Sequence, residues 1–146
     1  MGTRINEQIQ QITYAINGTI FVYGTLAKRY NLNYNSLMVL YTLEGSEKCT
    51  QKDICDVLQL SKSTVHSILN DFVRKGYMTL QAEPGNRKEK IICLTPQGKI
   101  YLEEIMSKVH EIEKRVMLKL GSTLCSQLAD SNTAFYEAFK AEVEHE

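Results

Sequence analysis

The residues best suited to chemistry lie on one face of a predicted helix between Ser61 and Gly76. At about 100° per residue, this face carries short hydrogen-bond donors and acceptors together with one cation. Asparagine can pair bidentately with adenine in the major groove of DNA, arginine can pair with guanine, and serine can bond to several groups. The spacing therefore suits a helix that lies against base edges. The polar face consists of Ser63, His66, Ser67, Asn70 and Arg74.

Two short helices with a tight connection are predicted to position this face. Thr50 and Asp53 form a weak version of the capping box, which marks the start of the first helix. The hydroxyl of Ser61 caps the second helix, and Gly76 ends it where a left-handed backbone is needed. The pattern is that of a helix-turn-helix. The positions predicted to face the core are Ile54, Val57 and Leu58 in the first helix and Val65, Ile68, Leu69, Phe72 and Val73 in the second.

A preceding helix is predicted to support this pair. Asn33 is a suitable N-cap for it, and Gly45 with Ser46 ends it after Glu44. The segment 45–49 then reads as a loop. The residues of this helix predicted to face inward are Leu37, Leu40, Tyr41 and Leu43.

After Gly76 the hydrophobic period changes from that of a helix to that of strands. Residues 77–82 alternate, and so do residues 91–95. Between them, EPGNRKEK reads as a polar turn that contains Pro84 and Gly85. We therefore predict a β-hairpin with a basic, flexible tip, from which an arginine can reach the minor groove. The cations assigned to this tip are Arg87, Lys88 and Lys90.

A helix, a turn, a helix and a basic hairpin together predict a winged helix-turn-helix that binds double-stranded DNA. An isolated polar helix face is usually only solvated, so the basic hairpin beside it is what favours DNA. The alternative is a winged-helix module that binds protein, which an apolar patch on the same surface would favour. The predicted DNA-binding residues are Ser61, Lys62, Ser63, Thr64, His66, Ser67, Asn70, Arg74, Arg87, Lys88 and Lys90.

The run from Asn86 to Gly98, NRKEKIICLTPQG, resembles the wing signature of the MarR family of bacterial transcription regulators. That signature has an acidic residue and an arginine, a β-branched residue in the returning strand, and Leu-Thr-x-x-Gly at the start of a long helix. Asn86 stands where the family usually has Asp. The preceding segment SKSTVHSILNDFVRKGYM also resembles the family's recognition helix. The matching wing positions are Arg87, Ile92, Leu94, Thr95 and Gly98.

The resemblance implies a homodimeric regulator, most often a repressor, that reads a pseudo-palindromic operator. In the family, a small aromatic or anionic effector often binds between the dimerisation helices and the DNA-binding lobe. Buried tyrosines commonly only pack, so the assignment of such a pocket here is by analogy. The residues assigned to this effector pocket are Tyr14, Tyr23, Tyr34 and Tyr41.

The flanking helices carry narrow apolar seams at spacings of three and four residues. The first runs over about residues 4–28, another over 96–120, and a last helix follows Gly121. A seam so near a terminus suggests a partner chain, although a terminal helix can also fold back on its own domain. The residues assigned to a dimer interface are Ile5, Ile9, Ile12, Ile16, Ile112, Val116, Leu128, Phe135 and Phe139.

The charge distribution is compatible with DNA binding. The formal net charge is zero. Residues 50–98 carry seven cations against five anions, whereas residues 99–146 carry six cations against nine anions. The predicted DNA-binding lobe is thus the more positive part of the chain, as nucleic-acid recognition requires.

The four cysteines, Cys49, Cys55, Cys93 and Cys125, show neither a CxxC pair nor zinc spacing. Buried structural thiols are the simplest interpretation. The alternative is a thiol-based redox sensor that acts through Cys49 or Cys55.

Catalytic and metal chemistry is not expected. His110 has acidic neighbours, but they do not share its helical face at the i, i+4 spacing that a metal pair uses. The sequence has no Gly-rich phosphate loop and no Ser-His-Asp order that suggests a nucleophile. We therefore predict no enzyme activity, no metal and no cofactor.

These patterns predict a mainly α fold with a small β-hairpin wing, namely a winged helix-turn-helix plus terminal dimerisation helices. The expected parts are an N-terminal dimerisation helix over residues 1–32, a DNA-binding lobe over residues 33–98, and C-terminal dimerisation helices over residues 99–146. No signal peptide and no apolar run of about 18 residues is present, so we expect a cytoplasmic protein without a membrane partner.

Overall fold

The structure, a computed structural model, describes residues 2–146 except for the side chain of Arg87. It has two compact units, one that ends at Met106 and one that spans Ser107–Glu146. The predicted mainly α fold, with a winged helix-turn-helix and long terminal helices, is confirmed. The three-part domain division stays a prediction. The elements are α1 (Gly2–Lys28), α2 (Tyr34–Leu43), β1 (Cys49–Thr50), α3 (Gln51–Leu58), α4 (Lys62–Arg74), β2 (Met78–Glu83), β3 (Asn86–Leu94), α5 (Pro96–Leu120) and α6 (Ser122–His145).

Side-chain caps fix where the short helices begin. The side chain of Asn33 accepts a hydrogen bond from the Ser36 N–H at 2.8 Å, which starts α2 as predicted. At α3 the Asp53 N–H donates to the Thr50 hydroxyl at 3.1 Å, and the Thr50 N–H donates back to the Asp53 carboxylate at 2.9 Å. The predicted capping box is therefore complete. The carboxylate accepts from Thr50, above all from its backbone N–H and then from its side chain, and these hydrogen bonds lower the pKa of Asp53.

The core of the first unit lies where α2, α3 and α4 pack together against the sheet. Helix α4 contributes three fully or almost fully buried side chains at helical spacing, which leaves its opposite face in solvent. This packing decides which side of α4 is available to a partner. Fully or almost fully buried side chains are Leu37, Val39, Leu40, Ile54, Val65, Leu69, Phe72, Met78 and Met106.

Three positions that the sequence predicted to face the core are exposed. Val57 is 65% exposed, Val73 36% and Tyr41 37%. In α3 the buried arc runs from Ile54 towards Gln51, whereas Val57 lies about 60° away on the other side of Ile54. Val73 and Tyr41 likewise lie at the edges of the buried arcs of their helices. Those three predictions were wrong because the buried arc of α4 is narrower than the pattern indicated, and those of α3 and α2 are rotated towards Gln51 and Val39.

The wing is an antiparallel pair of strands with a much tighter turn than the sequence suggested. Only Pro84 and Gly85 form the turn, and β3 already begins at Asn86. The register pairs Ala82 with Lys90 and then shifts, so that Glu83 pairs with Asn86. The prediction of a flexible basic tip was therefore wrong in its extent. The residues that it placed in the tip, Arg87, Lys88 and Lys90, belong to β3.

A third strand, which the sequence analysis took for a loop, completes the sheet. Cys49 and Thr50 form β1 and pair with Ile92 and Ile91, so β3 is the central strand in the order β1-β3-β2. A two-residue strand carries no periodic signal, which is why the sequence pattern did not reveal it. The strand joins the wing directly to the residue that caps α3.

The base of the wing is fastened by Thr95. Its N–H donates to the Tyr77 carbonyl at 3.1 Å, and its hydroxyl donates to the Gly76 carbonyl at 2.7 Å. The same hydroxyl oxygen accepts from the Gly98 N–H at 3.0 Å, which caps the first turn of α5. The ring of Tyr77 stacks on that of Tyr101, with centroids 4.0 Å apart. The end of α4, the start of β2 and the start of α5 therefore meet at one residue.

The second unit contains the C-terminal part of α5 and the whole of α6. Helix α6 has no buried residue, and its apolar stripe faces solvent. Cys125 lies next to Met117, with the two sulfur atoms 3.5 Å apart. None of the helices of residues 2–146 combines the length and the apolar character needed to cross a membrane.

Candidate nucleic-acid interface

The N-terminal turn of α4 carries a cluster of hydroxyl groups. The Thr64 N–H donates to the Ser61 hydroxyl at 3.2 Å, which confirms Ser61 as the N-cap. The Ser61 hydroxyl also lies 2.8 Å from the Thr64 hydroxyl and 3.2 Å from that of Ser63. Free N–H groups and the helix dipole make such a terminus a favourable place for a phosphate, and Lys62 adds a positive charge.

The remaining predicted residues of α4 share its solvent face. Lys62, Ser63, His66, Ser67, Asn70 and Arg74 are all exposed, whereas Thr64 is half-buried. Their common orientation follows from the buried stripe on the other side of the helix. A face with this composition offers donors, acceptors and positive charge, and Val73, 36% exposed, lies at its edge.

Two contacts organise the far end of that face. The Nε2 atom of His66 lies 3.0 Å from the Nδ2 atom of Asn70, one helical turn away. Asp71 is bonded to Arg74 at 2.8 Å and to Lys75 at 2.9 Å. The Lys75 ammonium, together with the Arg74 guanidinium, lowers the pKa of the Asp71 carboxyl. The sequence analysis did not predict the ion pair between Asp71 and Arg74, although the i, i+3 spacing on a helix could have revealed it.

A cavity of about 270 Å³ lies between α3, the start of α4 and β3. It brings Lys62 and Lys88 of the predicted set together and adds Lys52, which the sequence analysis did not select. The buried Gln51 side chain donates to the Lys62 carbonyl at 3.4 Å and so ties α3 to α4. The cationic surface therefore extends from α4 across α3 to the wing. The cavity is lined by Gln51, Lys52, Cys55, Lys62, Lys88 and Glu89.

The wing places its other predicted residues along a strand. Lys88 and Lys90 are exposed on β3, and the Arg87 side chain lies outside the described part of the structure. Glu83 at the end of β2 forms an ion pair with Lys48, which precedes β1. This pair joins the end of β2 to the residue before β1.

The four tyrosines assigned to an effector pocket have different surroundings. Tyr14 is 69% exposed on α1 and Tyr41 is 37% exposed on α2. Tyr23 and Tyr34 are half-buried, and Tyr34 lies close to Gly24, where α1 meets α2. Only Tyr23 and Tyr34 therefore occupy a partly enclosed environment.

The residues assigned to a dimer interface mostly face solvent. On α1, Ile5 is 53% exposed and Ile9 is 47% exposed, and the seam continues through Ile12 and Ile16. In the second unit, the exposed members are Val116, Leu128 and Phe139. Ile112 and Phe135 are half-buried, and the ring of Phe135 stacks on that of Phe139 with centroids 5.9 Å apart. Each unit thus presents a strip of apolar side chains to water.

The thiols proposed as redox sensors are partly shielded. Cys49 is buried and Cys55 is half-buried, and burial raises the pKa of both thiols. A raised pKa lowers the thiolate fraction on which oxidation depends. Within residues 2–146, no group of three His, Cys, Asp or Glu side chains is placed to hold a metal ion.

The architecture and the exposed polar helix beside a cationic strand define a winged helix-turn-helix protein. Residues 30–89 match the model of the MarR family. The chain is 30% identical to the HTH-type transcriptional regulator SarZ of Staphylococcus aureus over 94 residues, which span 64% of this chain and 61% of SarZ. In sequence over residues 30–89 and in fold over most of its length, the chain is similar to regulators of the MarR family.

Two solved structures illustrate the likeness. NMB1585, a MarR family regulator from Neisseria meningitidis, superposes with a TM-score of 0.83 at 26% identity, over 94% of this chain and 97% of that protein. MepR of S. aureus, solved in complex with DNA, superposes with a TM-score of 0.68 at 19% identity, over 91% of this chain and 96% of that protein. The second comparison concerns the fold alone.

Proposed function

We propose that this chain is a transcription regulator that binds double-stranded DNA through α4 and the wing. The observation that carries the proposal is the exposed polar face of α4 next to the cations of the cavity and β3. MepR, which shares this fold, has been captured on DNA. The apolar surface beside this face of α4 is limited to Val73 at its edge, which is 36% exposed, whereas a winged helix that binds protein would need a larger apolar patch.

Different parts of this surface are suited to different parts of the DNA. The N-terminal turn of α4, with Lys62 and the cationic cavity, is suited to backbone phosphates, which position a protein without reading sequence. Asn70 and the serines of the exposed face are suited to base edges in the major groove. Lys88 and Lys90 on β3 lie where a wing meets the neighbouring backbone or minor groove.

The regulator acts as a homodimer in this proposal. The isoleucine seam of α1 and the apolar stripe of α6 are exposed in the single chain, and burial of such surface drives association. A two-fold dimer presents two recognition helices about 34–36 Å apart, so the operator is a pseudo-palindrome.

We further propose that the protein represses transcription and that a small aromatic or anionic effector releases it from DNA. The half-buried Tyr23 and Tyr34, near the junction of α1 and α2, supply partly enclosed aromatic surface for such a compound. A ligand that changes the spacing of the two recognition helices costs base contacts, each bidentate pair being worth about 1–3 kcal/mol.

Fluorescence anisotropy with the region upstream of the protein's own gene tests the DNA-binding proposal. A scrambled duplex of equal length is the control DNA, and salt is varied. We expect selective binding that weakens steeply with salt, by about 10³–10⁵ between 50 and 200 mM for 6–10 phosphate contacts. Asn70→Ala and Arg87→Ala should each weaken it. The matched surface variant Lys114→Ala, on α5, should bind like the wild type. Equal, weak binding to both duplexes contradicts the proposal and directs attention to protein partners.

A further inference from the structure

His66 and Asn70 form a hydrogen-bonded pair on the exposed face of α4. Their Nε2 and Nδ2 atoms are 3.0 Å apart, across one turn of the helix. A carboxamide nitrogen only donates, so the ring nitrogen must accept. This arrangement corresponds to the tautomer in which Nδ1 carries the ring proton. The contact defines both the tautomer of His66 and the orientation of the Asn70 amide.

That orientation bears on the hydrogen bonds that Asn70 can offer. One of its two amide hydrogens is used by His66, which leaves the other hydrogen and the Oδ1 atom for a partner. Adenine requires such a donor and acceptor together, because its N7 accepts and its N6 amino group donates. If the amide rotates by 180°, the oxygen and nitrogen exchange places, and the pattern no longer suits the same edge.

The contact with His66 is what orients the amide of Asn70, because neighbouring side chains on the exposed face have other partners. Arg74, one turn beyond Asn70, is held by Asp71 at 2.8 Å, and Asp71 is held in turn by Lys75. Ser63 and Lys62 lie a turn before His66, where Ser63 is engaged with the Ser61 hydroxyl. An exposed asparagine without such a partner would sample both amide orientations.

We propose that His66 is a positioning residue that sets the amide of Asn70 for adenine, so that sequence preference depends on both residues. This inference rests on the proposed function. It assigns to His66 an action through Asn70 in place of a direct base contact. Since the amide is ordered before DNA arrives, less rotamer freedom is lost on binding.

The test compares two substitutions at position 66. His66→Gln keeps an acceptor, the amide oxygen, at a similar reach, and His66→Leu has none. A panel of operator duplexes with each base pair replaced in turn first identifies the position whose preference disappears in Asn70→Ala. We expect His66→Leu to reduce the adenine preference at that position about fivefold, the value of one hydrogen bond, and His66→Gln to restore it. In the double variant with Asn70→Ala, His66→Leu should cause no further change.

Nitrogen NMR of the free protein provides a second readout that does not need DNA. We expect His66 to be protonated at Nδ1 and unprotonated at Nε2 in the wild type, with loss of this state in Asn70→Ala. Proton occupancy at Nε2 overturns the proposal, and so does a His66→Leu profile in which every base position loses preference equally. Selective binding with an unaltered preference in His66→Leu overturns this inference alone. Wild-type binding without any sequence preference overturns the proposed function as well.

Discussion

The α carbon of Gly98 lies against the backbone of Tyr77, so closely that a Cβ atom at position 98 would fall 1.8 Å from the Tyr77 carbonyl oxygen. Real atoms cannot approach to that distance, so only glycine fits. The contact joins the first turn of α5 to the residue that precedes β2. It gives a physical reason for the glycine in the Leu-Thr-x-x-Gly segment that the sequence analysis singled out.

Gly98→Ala should destabilise the protein, because the added methyl group forces the α5 turn away from the base of the wing. We expect the free energy of unfolding to fall by about 1–3 kcal/mol, as in an overpacked core. Urea unfolding followed by circular dichroism measures it. Gly18→Ala is the matched control: beyond the adjoining backbone of α1, a methyl group added there meets nothing within 4 Å, and it should raise helix stability by about 0.5–1 kcal/mol. Equal effects of both variants would contradict the close approach.

The capping box at α3 should give part of the acid sensitivity of the fold. The pKa of Asp53 is lowered in the folded chain, so its contribution to stability is complete above the unfolded pKa of about 3.9 and is lost as the pH falls through the folded value. Asp53→Asn removes this titration and keeps an acceptor for the cap. We expect its stability to depend less steeply on pH below about 4.

Urea unfolding at a series of acidic pH values measures this dependence. Asp130→Asn, an exposed position on α6, controls for the general effect of losing one carboxylate. If Asp53→Asn and the wild type show the same slope, the capping carboxylate is not a source of acid lability.

Asp71→Asn should tighten binding to DNA. The substitution removes a negative charge from the proposed interface and releases Arg74 and Lys75 from their ion pairs. We expect higher affinity for any duplex and a salt dependence steeper by about one phosphate contact. The cost in stability should be small, about 0.3–0.5 kcal/mol for each exposed helical pair.

Anisotropy titrations over a range of salt concentrations measure the effect of Asp71→Asn. Glu137→Gln on α6 loses the same charge outside the proposed interface and should leave both affinity and salt slope as they are. A parallel gain in the two variants would show that net charge alone is responsible.

Ile9→Glu should separate the proposed dimer. Ile9 is 47% exposed in the middle of the α1 seam, and in a two-fold interface the substitution places two carboxylates in apolar surface. Sedimentation velocity should show a shift from dimer to monomer, together with weaker operator binding. Gln10→Glu adds the same charge next to the seam and should remain dimeric. A wild-type protein that sediments as a monomer at all accessible concentrations would rule out the dimer.

The sequence predicted the helix starts well, because each N-cap is a local bond between residues three positions apart. Asn33, Thr50 and Ser61 all act as expected. Positions at the edge of a buried arc, such as Val57, were misjudged, because neighbouring helices decide how wide that arc is. Periodicity reports the existence of an apolar face more reliably than its limits.

Nonlocal pairing explains what the sequence missed in the wing. Strand β1 exists because Cys49 and Thr50 meet β3 about 40 residues later, and no local signal encodes that contact. Strand β3 begins within the polar run after Gly85, since backbone can be extended and paired even where exposed polar side chains such as Lys88 and Lys90 give no apolar alternation. In the candidate site, the positions on α4 followed from its buried stripe. The Asp71–Arg74 ion pair could have been predicted from its i, i+3 spacing, whereas the atoms that meet in the His66–Asn70 contact are known only from the structure.

The bonds of Thr95 close residues 76–95 into a loop whose two ends are joined side chain to backbone. The end of α4, the start of β2 and the start of α5 meet at Thr95. If one of them opens there, the backbone of the other two becomes exposed, so their amides should exchange with solvent in a single cooperative event. Hydrogen exchange at Tyr77, Thr95 and Gly98 should therefore be slow and correlated. Exchange should become faster along β2 and β3 towards Gly85, so that the wing is rigid at Thr95 and more mobile at its turn.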